Sequence, residues 1–433
     1  MFGRYGSFTG GIDLPQEKEA TLDAGIVPCP RLSRLRVPLA PLPGAPAQVQ
    51  VARGQFVSRG ERLAAGGDQP DIFAPLAGRV AGIAQVLLPD GADGWRAAPA
   101  LELVELDDPQ PVQTLPAHFD WAAATSEQLA QRLAGGGIVS LRPAPMRIEQ
   151  WAAAVRARGV DTLIANGMEN VPFVTAEHRL LAERGGEVVR GLAILARACG
   201  VRTTMLAVDR RRTDKYRRLV GPARQHGIAA VALDHKYPTG ADVLLVRVLT
   251  RRQTPAGGDS LDVRVAVTDP GTCWAAFRHV ACGQPVTGRV VTLGGSRLER
   301  PGNWFVPFGA DAGELLAAAG KGDDGPALHG PGMTGRLLAP GAVVGPATSA
   351  LLAPPLPPPR ASTPCIRCGW CGDLCPARLH VAALNDDFEL ARPERALRRG
   401  VRACVGCGTC SYVCPAHLPL ARRVRLLKEA VSP

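Results

Sequence analysis

The feature that most constrains this chain is a cysteine pattern written twice near its C-terminal end. CIRCGWCGDLCP places Cys365, Cys368, Cys371 and Cys375 before Pro376, and CVGCGTCSYVCP places Cys404, Cys407, Cys410 and Cys414 before Pro415. Three cysteines at two-residue spacing put three thiolates on one tight loop, within reach of three irons of a cubane. The fourth leaves on a helical turn and points away from its own loop. Structural zinc commonly draws paired ligands from two separate knuckles, so two complete copies with matching prolines argue against it. Such a module would pass electrons singly.

The spacing is that of bacterial two-cluster ferredoxins, in which the fourth cysteine serves the other cluster. Two [4Fe–4S] clusters are therefore expected. One would be held by Cys365, Cys368, Cys371 and Cys414, the other by Cys404, Cys407, Cys410 and Cys375. A helical stretch near Asp386–Arg399 is expected between the motifs, making the module more helical than a minimal ferredoxin. Eight of twelve cysteines sit in these motifs, which indicates metal ligation in a reducing compartment rather than a disulfide scaffold. Cys29, Cys199, Cys273 and Cys282 are expected as small buried hydrophobes.

Upstream, residues 35–106 alternate short apolar runs with tight-turn signals, as at Val51–Gly54, Val57–Gly60 and Ala74–Val80. This resembles a barrel-sandwich hybrid of the lipoyl or biotinyl type. Asp68–Asp71 takes the place of the hairpin tip, and no lysine occurs between Lys18 and Lys215, so covalent lipoate or biotin is excluded there. From Ser126 to Arg251 helical and strand patterns alternate: helices at Ile148–Arg158, Ala176–Gly200 and Lys215–His226, strands at Asp161–Ala165, Thr203–Val208 and Ala229–Leu233. That alternation predicts a parallel α/β sheet. Strands at Val263–Thr268 and Arg289–Leu293, then a helix at Gly313–Ala319, suggest a small β-grasp-like unit. Gly322–Arg360 is rich in glycine and proline, an extended spacer before the cysteine module.

No run approaches the roughly 18 apolar residues of a membrane span, and the N-terminal residues carry no apolar signal core. A net charge of +11, mostly arginine, admits acidic partners or anionic lipid. With 5% aromatics and no aromatic-interleaved basic stretch, nucleic acid is not expected. The densest basic run, Ala421–Lys428, is a candidate docking surface for an acidic carrier or lipid headgroups. No Ser/His/Asp set, P-loop or paired-carboxylate site appears, so no catalytic residue is assigned.

Several motifs together resemble the C subunit of the Rnf ion-translocating electron transport complex, over nearly the whole chain. They are Gly10–Lys18, the Gly54, Gly60 and Ala74–Gly78 pattern, Lys236–Gly240, Arg300–Asn303, Gly330–Gly335 and Cys410–Leu420. The resemblance implies a multidomain α/β chain. Its parts are an N-terminal segment (1–34), a barrel-sandwich hybrid (35–112) and an α/β domain like the complex I flavoprotein (113–254). A β-grasp-like domain (255–321), a return segment and linker (322–360) and an α-helical two-cluster ferredoxin-like module (361–433) follow. It further implies a peripheral subunit on the cytoplasmic face of the inner membrane. Integral-membrane and iron–sulfur subunits and a soluble carrier such as ferredoxin would be its partners.

In that family the α/β domain is similar to one that binds FMN and meets NADH, and here its motifs depart. Ala134–Pro143 keeps its glycines but lacks the Phe-Pro-Thr that follows them in the family; Asn166–Pro172 keeps Asn166 and Glu169 but has Val171 in place of an acid; Gly240–Val243 replaces Gly-Gly-Glu-Lys. The three losses favour a scaffold that binds neither FMN nor NADH. The other reading is a remodelled flavin site using Gly135, Gly136, Gly137, Asn166 and Glu169. Whether the chain itself oxidises NADH stays open. Alternatives are a flavin-dependent cobalamin reductase of the propanediol-utilisation type, whose flavin domain comes first, and a non-catalytic ferredoxin-docking scaffold.

Overall fold

The computed structural model describes residues 3–4, 6–91, 93–107, 119–323, 325–355 and 360–431. The end of the proline spacer, 356–359, lies outside the described residues.

The barrel is built on a long antiparallel hairpin, Ala77–Asp90 against Gly94–Asp107, flanked by Leu35–Pro38 and Phe56–Val57. A three-stranded sheet (Gln48–Val49, Arg62–Ala65, Ile72–Phe73) closes the other side, and Asp68–Asp71 falls in its turn. The inward residues Leu35, Val37, Leu63, Leu101 and Leu103 share one core with Val291, Leu293 and Val306 of a neighbouring mixed sheet. The barrel is thus anchored by continuous apolar packing.

The α/β domain carries an all-parallel sheet in the order Gly3–Arg4, Ile228–Leu233, Thr203–Asp209, Thr162–Gly167, Val265–Thr268. The strand at Val265–Thr268 was expected in the β-grasp-like unit, but it pairs with Thr162–Gly167 instead. All four of its residues are buried, so its alternation-free pattern fits a sheet covered on both faces. It feeds an unanticipated helix, Pro270–Cys282, capped by the Asp269 side chain on Thr272 N.

That helix crosses the long helix Ala176–Cys199 closely enough that a Cβ on Gly191 would lie 1.7 Å from Cys273 O. Glycine inside a helix costs about 1 kcal/mol relative to alanine; here it permits an approach that no other residue allows. The long helix ends at Gly200 in the left-handed region. It covers the parallel sheet with Leu180, Val188, Leu192 and Leu195.

The mixed sheet runs Arg336–Leu337, Leu328–His329, Ala350–Leu352, Gly288–Gly294, Gly302–Pro307, Ile26–Pro28, with the helix Ala312–Ala318 beside it. The N-terminal segment therefore gives one strand to each large sheet. A buried polar knot fastens this junction. Thr175 Oγ1 and Thr292 Oγ1 both donate to Asn303 Oδ1 at 2.9 Å, and Asn303 Nδ2 donates to Thr21 O at 2.8 Å.

The cysteine module folds around Val381, Leu384, Ala396, Val401, Leu420 and Val424. The single helical stretch expected near Asp386–Arg399 is two helices, Val381–Glu389 and Pro393–Arg398. Pro393 disfavours helical backbone at Arg392, and Ala391 turns the chain at φ 49°. A last helix, Leu420–Ala430, packs across both.

Candidate functional site

Each cysteine loop wraps through backbone that favours glycine. Gly406 and Gly408 have φ 69° and 79°, and the equivalent positions of the first loop are Arg367 at 59° and Gly369 at 86°. A short helix follows each loop, Trp370–Asp373 and Thr409–Tyr412, and the two helices pack together. Each fourth cysteine is thereby carried toward the opposite loop.

Cys404, Cys407, Cys410 and Cys375 line one cavity walled by Leu379, Val381 and Val424. Burial raises the Cys410 thiol, and the neighbouring Cys404, Cys407 and Cys375 add to it. Burial also raises the Cys371 thiol, and the neighbouring Cys365, Cys368 and Cys414 add to it. Both sets proposed from spacing are thus gathered across the motifs.

The surroundings suit an iron–sulfur cluster. Buried thiols with raised pKa values are poor anions alone, whereas bound metal favours the thiolate. Leu379 N and Gly406 N each donate to a cysteine sulfur, Cys375 and Cys404, at 3.4 Å. Among the described residues no three His, Cys, Asp or Glu side chains are grouped to hold a single ion. The four thiols of the second set line one cavity of about 30 Å³. When bound, clusters of this kind supply one-electron redox chemistry.

The second loop faces the body of the protein. Tyr237 OH donates to Cys407 O at 2.5 Å, and Lys428 Nζ donates to Cys404 O at 2.8 Å. Gly11 N donates to Leu374 O at 2.8 Å, and a Cβ on Gly10 would stand 2.7 Å from Cys375 O. A Cβ on Gly408 would stand 2.9 Å from Met333 O. Three motifs distant in sequence thus meet the cysteine module, Lys236–Gly240 and Gly330–Gly335 at the second loop and Gly10–Lys18 at the end of the first motif, beside Cys375. Sequence reasoning singled out all three without seeing that they form one seat; their glycines and aromatic residue were the available signal.

The basic run 421–428 is largely committed internally. Arg423 bonds Asn385 and Glu389 at 2.6 Å, and Arg425 pairs with Asp93 of the barrel hairpin. Of the scattered cysteines, Cys199 and Cys273 are buried and Cys29 and Cys282 half-buried.

The α/β domain's crevice lies where strands Thr162–Gly167 and Val265–Thr268 end and their connections diverge, the usual ligand position in such sheets. The cavity there, lined by Gly137, Val139, Glu177, Asp269 and Arg289 among others, is about 60 Å³. Small-molecule pockets are typically about 300–1,000 Å³.

The candidate flavin residues occupy structural positions. A Cβ on Gly136 would meet the His279 ring at 2.5 Å, and one on Gly137 would meet Asp71 O at 2.8 Å. Asn166 Nδ2 donates to Gly240 O at 2.9 Å, and its Oδ1 accepts from Met168 N. Glu169 accepts from Glu177 N at 3.0 Å and His178 N at 3.1 Å, capping the long helix. Arg142 pairs with Asp242 across the site, and Val171 packs beside the buried Val174, Ala350 and Leu352. Gly135, at φ 74°, has only Asp71 Oδ2 within 4 Å of a built Cβ.

Beneath the same edge Lys18 is 1% exposed and donates to Glu169 O. Burial, opposed by Glu169, lowers its ammonium pKa to about 7.

Family comparisons follow the same division. The RnfC barrel sandwich hybrid domain model matches residues 6–99, the Nuo51 FMN-binding domain model 143–278 and the 4Fe-4S dicluster domain model 359–415. The C subunit of the ion-translocating oxidoreductase complex of Pseudomonas aeruginosa is 31% identical over 404 residues, 88% of this chain and 51% of that one. Its Salmonella typhimurium counterpart is 30% identical over 398 residues, 86% and 51% respectively. The chain therefore spans about half the length of these curated relatives. An NAD+-reducing [NiFe]-hydrogenase chain superposes with a TM-score of 0.47 at 16% identity, covering 73% of this chain and 69% of that one. The dicluster match supports iron–sulfur clusters, and the flavin-domain match leaves FMN open. By its relatives and its barrel domain, the chain belongs to the RnfC family.

Proposed function

We propose that this chain is an electron-relay subunit of an Rnf-type, ion-translocating membrane complex, carrying two [4Fe–4S] clusters. Cys365, Cys368, Cys371 and Cys414 would hold one, and Cys404, Cys407, Cys410 and Cys375 the other. The observation that carries the proposal is the convergence of Cys375 from the first motif with three cysteines of the second around one cavity. The relatives' names support membership in an assembly of several subunits. Integral-membrane and iron–sulfur subunits would be its partners, with a soluble carrier of the ferredoxin kind. No described helix is long and apolar enough to cross a membrane, which agrees with peripheral attachment, placed here at the cytoplasmic face. The mixed sheet with its helix Ala312–Ala318 serves as the β-grasp-like unit.

The α/β domain acts in this reading as scaffold rather than flavoprotein. Its crevice is several-fold too small for an isoalloxazine, and Asn166 and Glu169 are engaged by backbone groups. Purified full-length protein equilibrated with FMN and desalted should retain little flavin and oxidise NADH poorly. Stoichiometric retained FMN would return the domain to flavin chemistry.

A further inference from the structure

The two cysteine motifs are alike in sequence and unlike in setting. The second loop lies against Tyr237, Lys428 and Met333. From 360 to 370 every residue is exposed except the half-buried Cys365, and Cys368 is itself exposed. Within that loop Ile366 and Trp370 are 63% and 55% exposed. Tyr412, 56% exposed, stands on the short helix packed against that of Trp370.

Among the described residues, six of the ten exposed large hydrophobic side chains fall between 366 and 426. Exposed large apolar side chains that lie together mark interaction surfaces, as Ile366, Trp370 and the nearby Tyr412 helix do here, and tryptophan and tyrosine are over-represented among the residues that dominate binding.

Resting on the relay reading above, we propose that the Ile366–Trp370 loop is the docking surface for a one-electron carrier protein with an acidic contact face. Charge argues for that occupant. Arg360 precedes the apolar residues and Arg367, which also pairs with Asp386, lies between them, while no acidic residue occurs between 360 and 372. Residues 360–431 carry twelve Lys and Arg against six Asp and Glu. A second copy of this chain would bring two basic faces together, which opposes association. Location argues for a redox protein: electron transfer weakens steeply with distance, and this loop is the least covered approach to the cysteine sites. An acidic rim would steer encounter, and burial of Ile366 and Trp370 would hold the complex.

The test uses the full chain with reconstituted clusters and an acidic bacterial two-[4Fe–4S] ferredoxin, oxidised, as probe. Calorimetric Kd values are measured at 50 and 200 mM NaCl. Binding should weaken at least tenfold with salt. Ile366→Glu and Trp370→Glu should each weaken it at least tenfold at 50 mM, and Arg53→Glu, on an exposed barrel turn, less than threefold. Iron content and EPR accompany every sample, so a protein without iron refutes the relay reading, whereas an iron-loaded protein that fails to bind refutes only the docking surface. No ferredoxin binding, equal losses in all three variants, or Trp370→Glu abolishing only self-association or binding to anionic vesicles would each overturn the proposal.

Discussion

Replacing Tyr237 by phenylalanine removes one oxygen from the joint between the cluster module and the body. Tyr237 is 4% exposed, and its hydroxyl donates to Cys407 O at 2.5 Å. Burial raises the phenol's pKa, so it remains a donor across the accessible pH range. Its loss leaves a partly buried carbonyl without that donor, a cost of about 1–3 kcal/mol. If that energy opposes local opening of the seat, opening becomes about five- to 150-fold more frequent. Amide hydrogen exchange reads this directly. Protection should fall by that factor at Gly406, whose amide donates to Cys404 Sγ, and at Gly11, whose amide donates to Leu374 O. Amides of the barrel hairpin Ala77–Asp107 should be unchanged. Unaltered exchange at Gly406, or an equal rise across the whole chain, would refute the reasoning.

Lys18 should impose a pH dependence on stability. Its folded pKa of about 7 lies below the ordinary 10.5, so between those values the unfolded chain binds the extra proton and stability rises with pH. The effect spans at most about 5 kcal/mol. Urea midpoints followed by tryptophan fluorescence should rise from pH 7 to 9.5 in the native protein and change less in Lys18→Met; identical profiles would contradict the burial argument. Cys375→Ser should perturb the EPR signal of the cluster held mainly by the second motif. Loss confined to the other signal would reverse the shared-ligand assignment.

The elements most legible in the sequence were those whose pattern is local. The helix at Ala176–Cys199 and the strands at Thr203–Asp209 and Ile228–Leu233 follow periodicity and glycine stops. Val265–Thr268 also showed as a strand, but strand partners are set by tertiary packing, so its sheet was misassigned. The long hairpin was obscured because Pro89 and Gly82 resemble turn signals, yet both lie within one strand, which shifts register near Gly82. The eight motif cysteines stood out through spacing alone. The seat formed by Gly10, Tyr237 and Met333 could not, since its members are joined only by close approach across hundreds of residues. The hydrogen bonds of Asn166 to Gly240 O and of Glu169 to the start of the long helix were likewise hidden, because residue type alone does not name a partner in another element.

The central claim is that both cysteine sets hold cubane clusters that share ligands across the motifs. Iron analysis with EPR of the anaerobically reconstituted, reduced full chain tests it most directly. About eight irons per chain and the spectrum of two interacting S = 1/2 clusters are expected. Zinc without iron, or about four irons with a single non-interacting signal, would contradict it.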